Sequence, residues 1–268
     1  MKYEVISLSE KYHKLGEKAY VECYIPSLFT NADPVFNEQK WPAMVVCPGG
    51  GYGFVSDREA EPIALQFTAE NYRVFVVRYS CAPACFPQQL REVAATMELI
   101  YENAESWNID TKKISIIGFS AGGHLASQYS NRWNCPEVRA LFPESKPVQA
   151  AVLSYPVITA DERYSHAGSI ENFKDANASC EKLVTAQTPP TFLWHTAEDG
   201  LVPVENSLIY AMALSAKKVP YELHIYPHGY HGLATADVVT NLAENLTASI
   251  RRTDRWMDDV KSWLKMVL

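Results

Sequence analysis

The most constraining feature of the chain is segment 114–124, Ile-Ser-Ile-Ile-Gly-Phe-Ser-Ala-Gly-Gly-His. It contains Gly118-x-Ser120-x-Gly122, directly after a β-branched apolar run and directly before a helical one. A strand ending at Gly118 and a helix starting near Ala121 would hold Ser120 in a sharp, strained turn, with its hydroxyl clear of the sheet. The small residues leave room for the backbone to pass closely. The segment therefore predicts a nucleophilic serine.

Short apolar runs alternate with helical patterns along the chain, which predicts a mostly parallel sheet with helices on both faces. We expect eight strands, the first two forming an antiparallel pair, at 3–9, 19–26, 43–47, 73–79, 114–118, 150–155, 191–195 and 221–226. Helices are expected at 62–70, 88–107, 121–131, 204–218 and 246–267, and a polar loop at 31–39.

No linker or internal repeat divides the chain, so we expect one domain over residues 1–268. Residues 157–188 have no clean hydrophobic period. They are interpreted as an insertion with short helices over the sheet edge, and as a candidate cap over the site.

Three candidate catalytic side chains follow predicted strands directly: Ser120, Asp199 and His231. The carboxyl ends of parallel strands share one edge of the sheet, where active sites form. We therefore expect the three to meet on one rim. A serine hydroxyl needs a base, and the base needs an acid that holds its tautomer. We predict His231 as the base and Asp199 as the acid.

The acid has alternatives in the sequence. Glu198 is the immediate neighbour of Asp199, and Asp161 and Glu162 follow the preceding strand. Asp199 is favoured because it lies in a loop that turns sharply. Without its two partners, a turn or cap role would be the preferred interpretation.

The base also has an alternative, His228, three residues nearer the strand. Gly232 favours His231, because it permits a tight loop that returns the imidazole toward Ser120. His124 should point along the helix away from the serine hydroxyl, so it and His195 are expected to have structural roles.

Acyl transfer also needs donors aimed at the developing oxyanion, and backbone amides serve well because they are fixed before reaction. Ala121 provides one such amide. The turn Pro48-Gly49-Gly50-Gly51 provides others, with Gly50 the first choice and Gly49 or Gly51 beside it.

Aromatic side chains near this rim could stack against a substrate ring or simply belong to the packing. The candidates for substrate contact are Tyr52, Phe119 and Tyr155.

Five stretches resemble the bacterial acetyl-xylan-esterase-like α/β-hydrolases, relatives of the hormone-sensitive-lipase-like esterases and of kynurenine formamidase. They are Pro48-Gly-Gly-Gly-Tyr52, Ser56-Asp-Arg-Glu59, Gly118-Phe-Ser-Ala-Gly-Gly-His124, Thr188-Pro-Pro-Thr-Phe-Leu-Trp-His-Thr-Ala-Glu-Asp199 and His228-Gly-Tyr-His-Gly232. The resemblance implies the α/β-hydrolase fold, the triad Ser120, Asp199 and His231, and an oxyanion hole from residues 49–51 with Ala121. One departure is Pro48, where the lipase-like relatives have a histidine.

The resemblance also implies deacylation of small esters. We expect a serine carboxylesterase that hydrolyses short-chain acyl esters, specifically O-acetyl groups of sugars or xylo-oligosaccharides, through an acyl-enzyme on Ser120. No metal or organic cofactor is expected. An arylformamidase or a small amidase or peptidase would use the same triad and is the alternative. A non-catalytic binding module with this fold would be expected to lack a triad member, and all three are present.

The net charge of −7 comes with scattered signs, which gives no support for nucleic-acid binding. No apolar run reaches membrane-spanning length, and the first residues lack the apolar core of a signal peptide, so a cytoplasmic location is expected. A homodimer is compatible with the sequence but not required by it. Cys81 and Cys85 are expected to be reduced loop thiols, with a disulfide or half of a metal site as alternatives.

Overall fold

The computed structural model describes residues 1–13, 15, 18–27, 38–164 and 178–268. Eight strands form one sheet in the order β1-β2-β4-β3-β5-β6-β7-β8, which confirms the predicted sheet. The strands are β1 (Lys2–Ser7), β2 (Tyr20–Ile25), β3 (Trp41–Cys47), β4 (Arg73–Arg78), β5 (Ile109–Phe119), β6 (Ala150–Ser154), β7 (Thr191–Thr196) and β8 (Tyr221–Tyr226).

The direction of the strands places the site. β1 pairs with β2 antiparallel, as predicted, and β2 also pairs with β4 antiparallel. All other neighbours are parallel. Among the eight described strands, only β2 therefore runs against the rest. The carboxyl ends of β3, β5, β6, β7 and β8 consequently meet along one edge.

Helices cover both faces of the sheet: α1 (Leu8–Lys11), α2 (Glu61–Thr68), α3 (Gln88–Glu102), α4 (Ala121–Arg132), α5 (Pro136–Arg139), α6 (Glu205–Ala216), α7 (Ala248–Arg251) and α8 (Arg255–Val267). Neighbouring residues of β5 separate the two faces, because Ile116 belongs to one hydrophobic core and Ile117 to the other. Apolar residues of α3, α4 and α6 fill the first core, and those of α2 and α8 fill the second.

The predicted closing helix 246–267 is wrong in its first part. Thr247 starts a separate short helix, α7, by accepting a hydrogen bond from the backbone of Ile250 at 3.3 Å. A 3₁₀ turn, Arg252–Asp254, follows before α8 begins. None of the α7 residues is buried, whereas Trp256, Val260 and Trp263 of α8 pack on the sheet. Packing therefore supports a continuous helix only from Arg255 onward.

Much of the predicted insertion 157–188, and with it the candidate cap, lies outside the described residues, as does most of the predicted loop 31–39. The described start of the insertion is tied to α6. The amide oxygen of Asn206 accepts hydrogen bonds from the backbone of Ile158 and Thr159 at 2.9 and 3.1 Å.

Two further predictions concern the thiols and the membrane. Cys81 and Cys85 are free, as are the four remaining cysteines. In the part of the chain that the structure describes, no helix combines the length and apolar character needed to span a bilayer.

Candidate active site

Ser120 lies between the end of β5 and the start of α4, as the glycine pattern predicted. Its backbone has φ 53° and ψ −120°, a strained conformation for a residue with a side chain. The turn is close-packed: a Cβ on Gly122 would lie 2.0 Å from the carbonyl oxygen of Cys47. Ser120 is largely buried and retains 8% of its exposure.

The three predicted side chains form one hydrogen-bonded relay. The Oγ atom of Ser120 is 2.7 Å from Nε2 of His231. Nδ1 of the same imidazole is 2.7 Å from Oδ2 of Asp199. Because a carboxylate only accepts, Nδ1 carries the proton, and Nε2 presents its lone pair to the serine hydroxyl. The relay brings together residues from three loops that follow β5, β7 and β8.

Asp199 is enclosed by donors. Its Oδ1 atom accepts hydrogen bonds from the backbone of Leu201 and Val202 at 3.0 and 2.9 Å. Burial alone would raise the pKa of this carboxyl. The hydrogen bonds from His195 and His231, with that from Val202, outweigh burial and hold the pKa below its ordinary value. The carboxylate is therefore the stable form beside the imidazole.

The alternative acids and the alternative base have other partners. Glu198 and His228 are both exposed and pair with each other, with Oε1 and Nδ1 2.9 Å apart. Asp161 forms an ion pair with the guanidinium of Arg163, and Glu162 is exposed. None of these groups bonds to Ser120 or His231 within the described chain.

One of the backbone amides expected to donate to the oxyanion has another partner in the structure. The N–H of Gly49 donates to Oε2 of Glu59 at 2.8 Å, so it is not available to an oxyanion. Among the described residues, the N–H groups of Gly50, Gly51 and Ala121 have no protein acceptor. Gly50 has φ +124°, and its carbonyl oxygen accepts the amides that close the turn.

The three aromatic residues predicted to contact substrate are buried, which favours the alternative interpretation that they belong to the packing. Phe119 is fully buried against Tyr155 and Trp256. The hydroxyl of Tyr52 is 2.8 Å from Nδ1 of His124. The hydroxyl of Tyr155 donates to Glu59 at 2.6 Å. Each side chain is turned into a core or a buried hydrogen-bond network and presents almost no surface to a ligand.

Two residues that touch the site had no predicted part in it. His195 was expected to be structural, and Glu59 was noted only as the end of the stretch Ser56-Asp-Arg-Glu59 that resembles the family. Nε2 of His195 lies 3.3 Å from Oδ2 of Asp199, and the carboxylate of Glu59 holds the glycine turn. The spacing of His195, four residues before Asp199, was a weak signal of proximity. Nothing in the spacing of Glu59 distinguishes it from an exposed acid at a helix start.

Comparisons with known proteins identify the family of the chain. The BD-FAE family model matches residues 32–214. Endo-1,4-beta-xylanase B of Butyrivibrio fibrisolvens is 36% identical over 80% of this chain, and 35% of that protein is covered. Acetylxylan esterase of Xylanibacter ruminicola is 29% identical over 93% of this chain, and 48% of it is covered. The chain thus spans about a third to a half of the length of these curated relatives.

A solved structure matches nearly from end to end. The acetyl ester-xyloside bifunctional hydrolase from Caldicellulosiruptor lactoaceticus is 31% identical, with a TM-score of 0.76 and 96% of each chain covered. The family match spans more than half of the chain, and this neighbour shares the fold. The chain therefore belongs to the BD-FAE family and has the α/β-hydrolase fold.

Proposed function

We propose that the protein is a serine esterase that hydrolyses short-chain acyl esters, specifically O-acetyl groups on sugars or xylo-oligosaccharides, through an acyl-enzyme on Ser120. The observation that carries the proposal is the unbroken relay from Ser120 through His231 to Asp199, with 2.7 Å at each step. The relay lies beside backbone amides that have no protein acceptor in the described chain.

Acylation follows from the relay. As the Ser120 oxygen bonds to the ester carbonyl carbon, Nε2 of His231 takes the hydroxyl proton. Asp199 stabilises the imidazolium that forms. The amides of Gly50, Gly51 and Ala121 supply donors for the negative charge on the former carbonyl oxygen. One such donor is worth about 3 kcal/mol of transition-state stabilisation in comparable enzymes.

The intermediate then collapses. The bond between the carbonyl carbon and the alcohol oxygen breaks, and His231 gives its proton to the leaving alcohol. A water molecule attacks the acyl-enzyme, and His231 takes the water proton and returns it to the Ser120 oxygen. The products are the free acid and the alcohol, and Ser120 is regenerated.

Two relatives support an acetylated sugar as the substrate: one is named an acetylxylan esterase and the other an acetyl ester-xyloside hydrolase. An arylformamidase would need the same relay, so substrates rather than the relay distinguish the two activities. We expect acetylated xylo-oligosaccharides to be hydrolysed faster than N-formylkynurenine, and acetyl esters faster than esters of longer acids.

The test is Ser120→Ala assayed with p-nitrophenyl acetate and with acetylated xylo-oligosaccharides. Activity should fall to background while the circular dichroism spectrum is unchanged. Ser106→Ala is the matched control, because Ser106 is exposed and its hydroxyl only donates to the Asn103 carbonyl at 3.1 Å. Turnover that persists in Ser120→Ala would overturn the mechanism. Preference for N-formylkynurenine would overturn the substrate class.

A further inference from the structure

We propose that Glu59 is a positioning residue, whose buried carboxylate holds the glycine turn and the histidine loop in place around Ser120. This inference rests on the proposed function. Glu59 closes a 3₁₀ turn, Asp57–Glu59, which connects the glycine turn to α2, and it retains only 3% of its exposure. A buried carboxylate requires hydrogen-bond donors, and here both of its oxygens have one.

The first carboxylate oxygen of Glu59 holds the glycine turn, which carries the amide donors for the oxyanion. Oε2 accepts the N–H of Gly49 at 2.8 Å. This bond sets the plane of the peptide that precedes the amides of Gly50 and Gly51, which remain without a protein acceptor in the described structure. The contact is close to the nucleophile. A Cβ built on Gly49 would lie 2.7 Å from Oε2 and 3.0 Å from Cβ of Ser120.

The second carboxylate oxygen of Glu59 is linked through Tyr155 to the loop that carries His231. Oε1 accepts the phenol of Tyr155 at 2.6 Å, and the phenol oxygen in turn accepts the N–H of Ala234 at 3.0 Å. Ala234 lies three residues after His231, and the Tyr155 ring meets the His231 ring edge-on with centroids 5.1 Å apart. Tyr155 directly follows β6 with φ 37°, a conformation that this network stabilises.

A carboxylate is needed at this position because both neighbours donate. Gly49 offers an N–H and Tyr155 an O–H, and two carboxylate oxygens accept one each. Glutamine has one acceptor oxygen and a donor NH₂ group, so it satisfies only one of them. Burial and the negative charge of Glu59 raise the pKa of the Tyr155 phenol, which keeps it protonated and able to donate. The network is therefore one hydrogen-bonded chain from Gly49 to Ala234.

The experiment compares Glu59→Gln, Tyr155→Phe and the double variant with wild type, and uses Glu61→Gln as the matched control. Glu61 is an exposed acid in the same segment. The readouts are kcat and KM for p-nitrophenyl acetate, with the rate and final stoichiometry of fluorophosphonate labelling. Stoichiometry counts folded sites, whereas the labelling rate reports the relay and the amide donors.

Glu59→Gln should lower kcat about 10- to 100-fold and change KM less than about threefold, because the lost interactions orient groups used in the transition state. Labelling should slow similarly but still reach one label per chain. Tyr155→Phe should lower kcat about 3- to 10-fold, and the double variant should resemble Glu59→Gln, because the two residues act in one network.

Three outcomes would overturn the inference. These are a kcat for Glu59→Gln within about twofold of wild type, a fall fully explained by fewer labelled sites, and additive effects in the double variant. If Glu59→Gln yields no folded protein, Tyr155→Phe decides, and an unchanged kcat then overturns the inference. Failure of the proposed function would give different results, because wild type would lack esterase activity or Ser120→Ala would retain it.

Discussion

The Nε2 atom of His195 lies 3.3 Å from Oδ2 of Asp199, the oxygen that faces His231 at 2.7 Å. The same nitrogen is 2.9 Å from the carbonyl oxygen of Val202. Because both neighbours are acceptors, Nε2 carries the proton, and Nδ1 then accepts from the hydroxyl of Ser207 at 2.8 Å. The N–H of His195 thus donates to Val202, and Nε2 is a second imidazole nitrogen close to the acid of the relay.

We expect His195→Phe to lower kcat/KM about tenfold and the free energy of unfolding by about 1–3 kcal/mol, since Asp199 and Val202 each lose a buried partner. Kinetics with p-nitrophenyl acetate and urea unfolding measure the two effects. His228→Ala is the control and should change kcat/KM less than about twofold, because His228 pairs only with exposed Glu198. Equal effects of the two substitutions would show that contact with Asp199 has no consequence.

The backbone of Ser120 gives a prediction about stability. Its φ of 53° is unfavourable for alanine but accessible to glycine. Ser120→Ala and Ser120→Gly should both be inactive, yet the glycine variant should be more stable to urea by about 1 kcal/mol. Equal or greater stability of the alanine variant would contradict strain at this position.

The sequence was sufficient for the fold and for the relay, for identifiable reasons. Alternating strands and helices imply a parallel sheet, and a parallel sheet brings the carboxyl ends of its strands to one edge. Ser120, Asp199 and His231 were therefore expected to meet without knowledge of any distance. The choice of His231 over His228 rested on Gly232, which permits a tight loop after the imidazole.

Side-chain direction was beyond the reach of the sequence. Phe119 precedes the serine, but the alternation of β5 turns its ring into a core. The Gly49 amide was predicted to face the oxyanion and instead faces Glu59, ten residues away. Such contacts depend on which buried donor lies beside which acceptor in the folded chain. The hydrophobic periodicity of the local sequence does not encode that pairing.

The low pKa of Asp199 predicts a pH dependence of stability. Burial raises this pKa, but hydrogen bonds from His195 and His231 lower it below the ordinary 3.8, so the folded state favours the carboxylate. A depressed pKa contributes stability that is complete above the ordinary value and is lost as pH falls toward the folded-state value. Wild type should therefore exceed Asp199→Asn in stability by more at pH 5 than at pH 3. Urea unfolding at constant ionic strength measures the difference, and an equal gap at both pH values would contradict the assignment.

The close passage of the backbone at Gly122 gives the last prediction. A Cβ there would lie 2.0 Å from the carbonyl oxygen of Cys47 and 2.3 Å from that of Pro48, and backbone atoms at the end of β3 cannot move aside cheaply. Gly122→Ala should lower the free energy of unfolding by at least about 3 kcal/mol. Gly200→Ala is the control, because a Cβ on Gly200 meets nothing within 4 Å, and its stability should stay within about 1 kcal/mol of wild type. Thermal unfolding of the two variants measures this contrast. Similar melting temperatures would mean that the turn beneath Ser120 is looser than these contacts indicate.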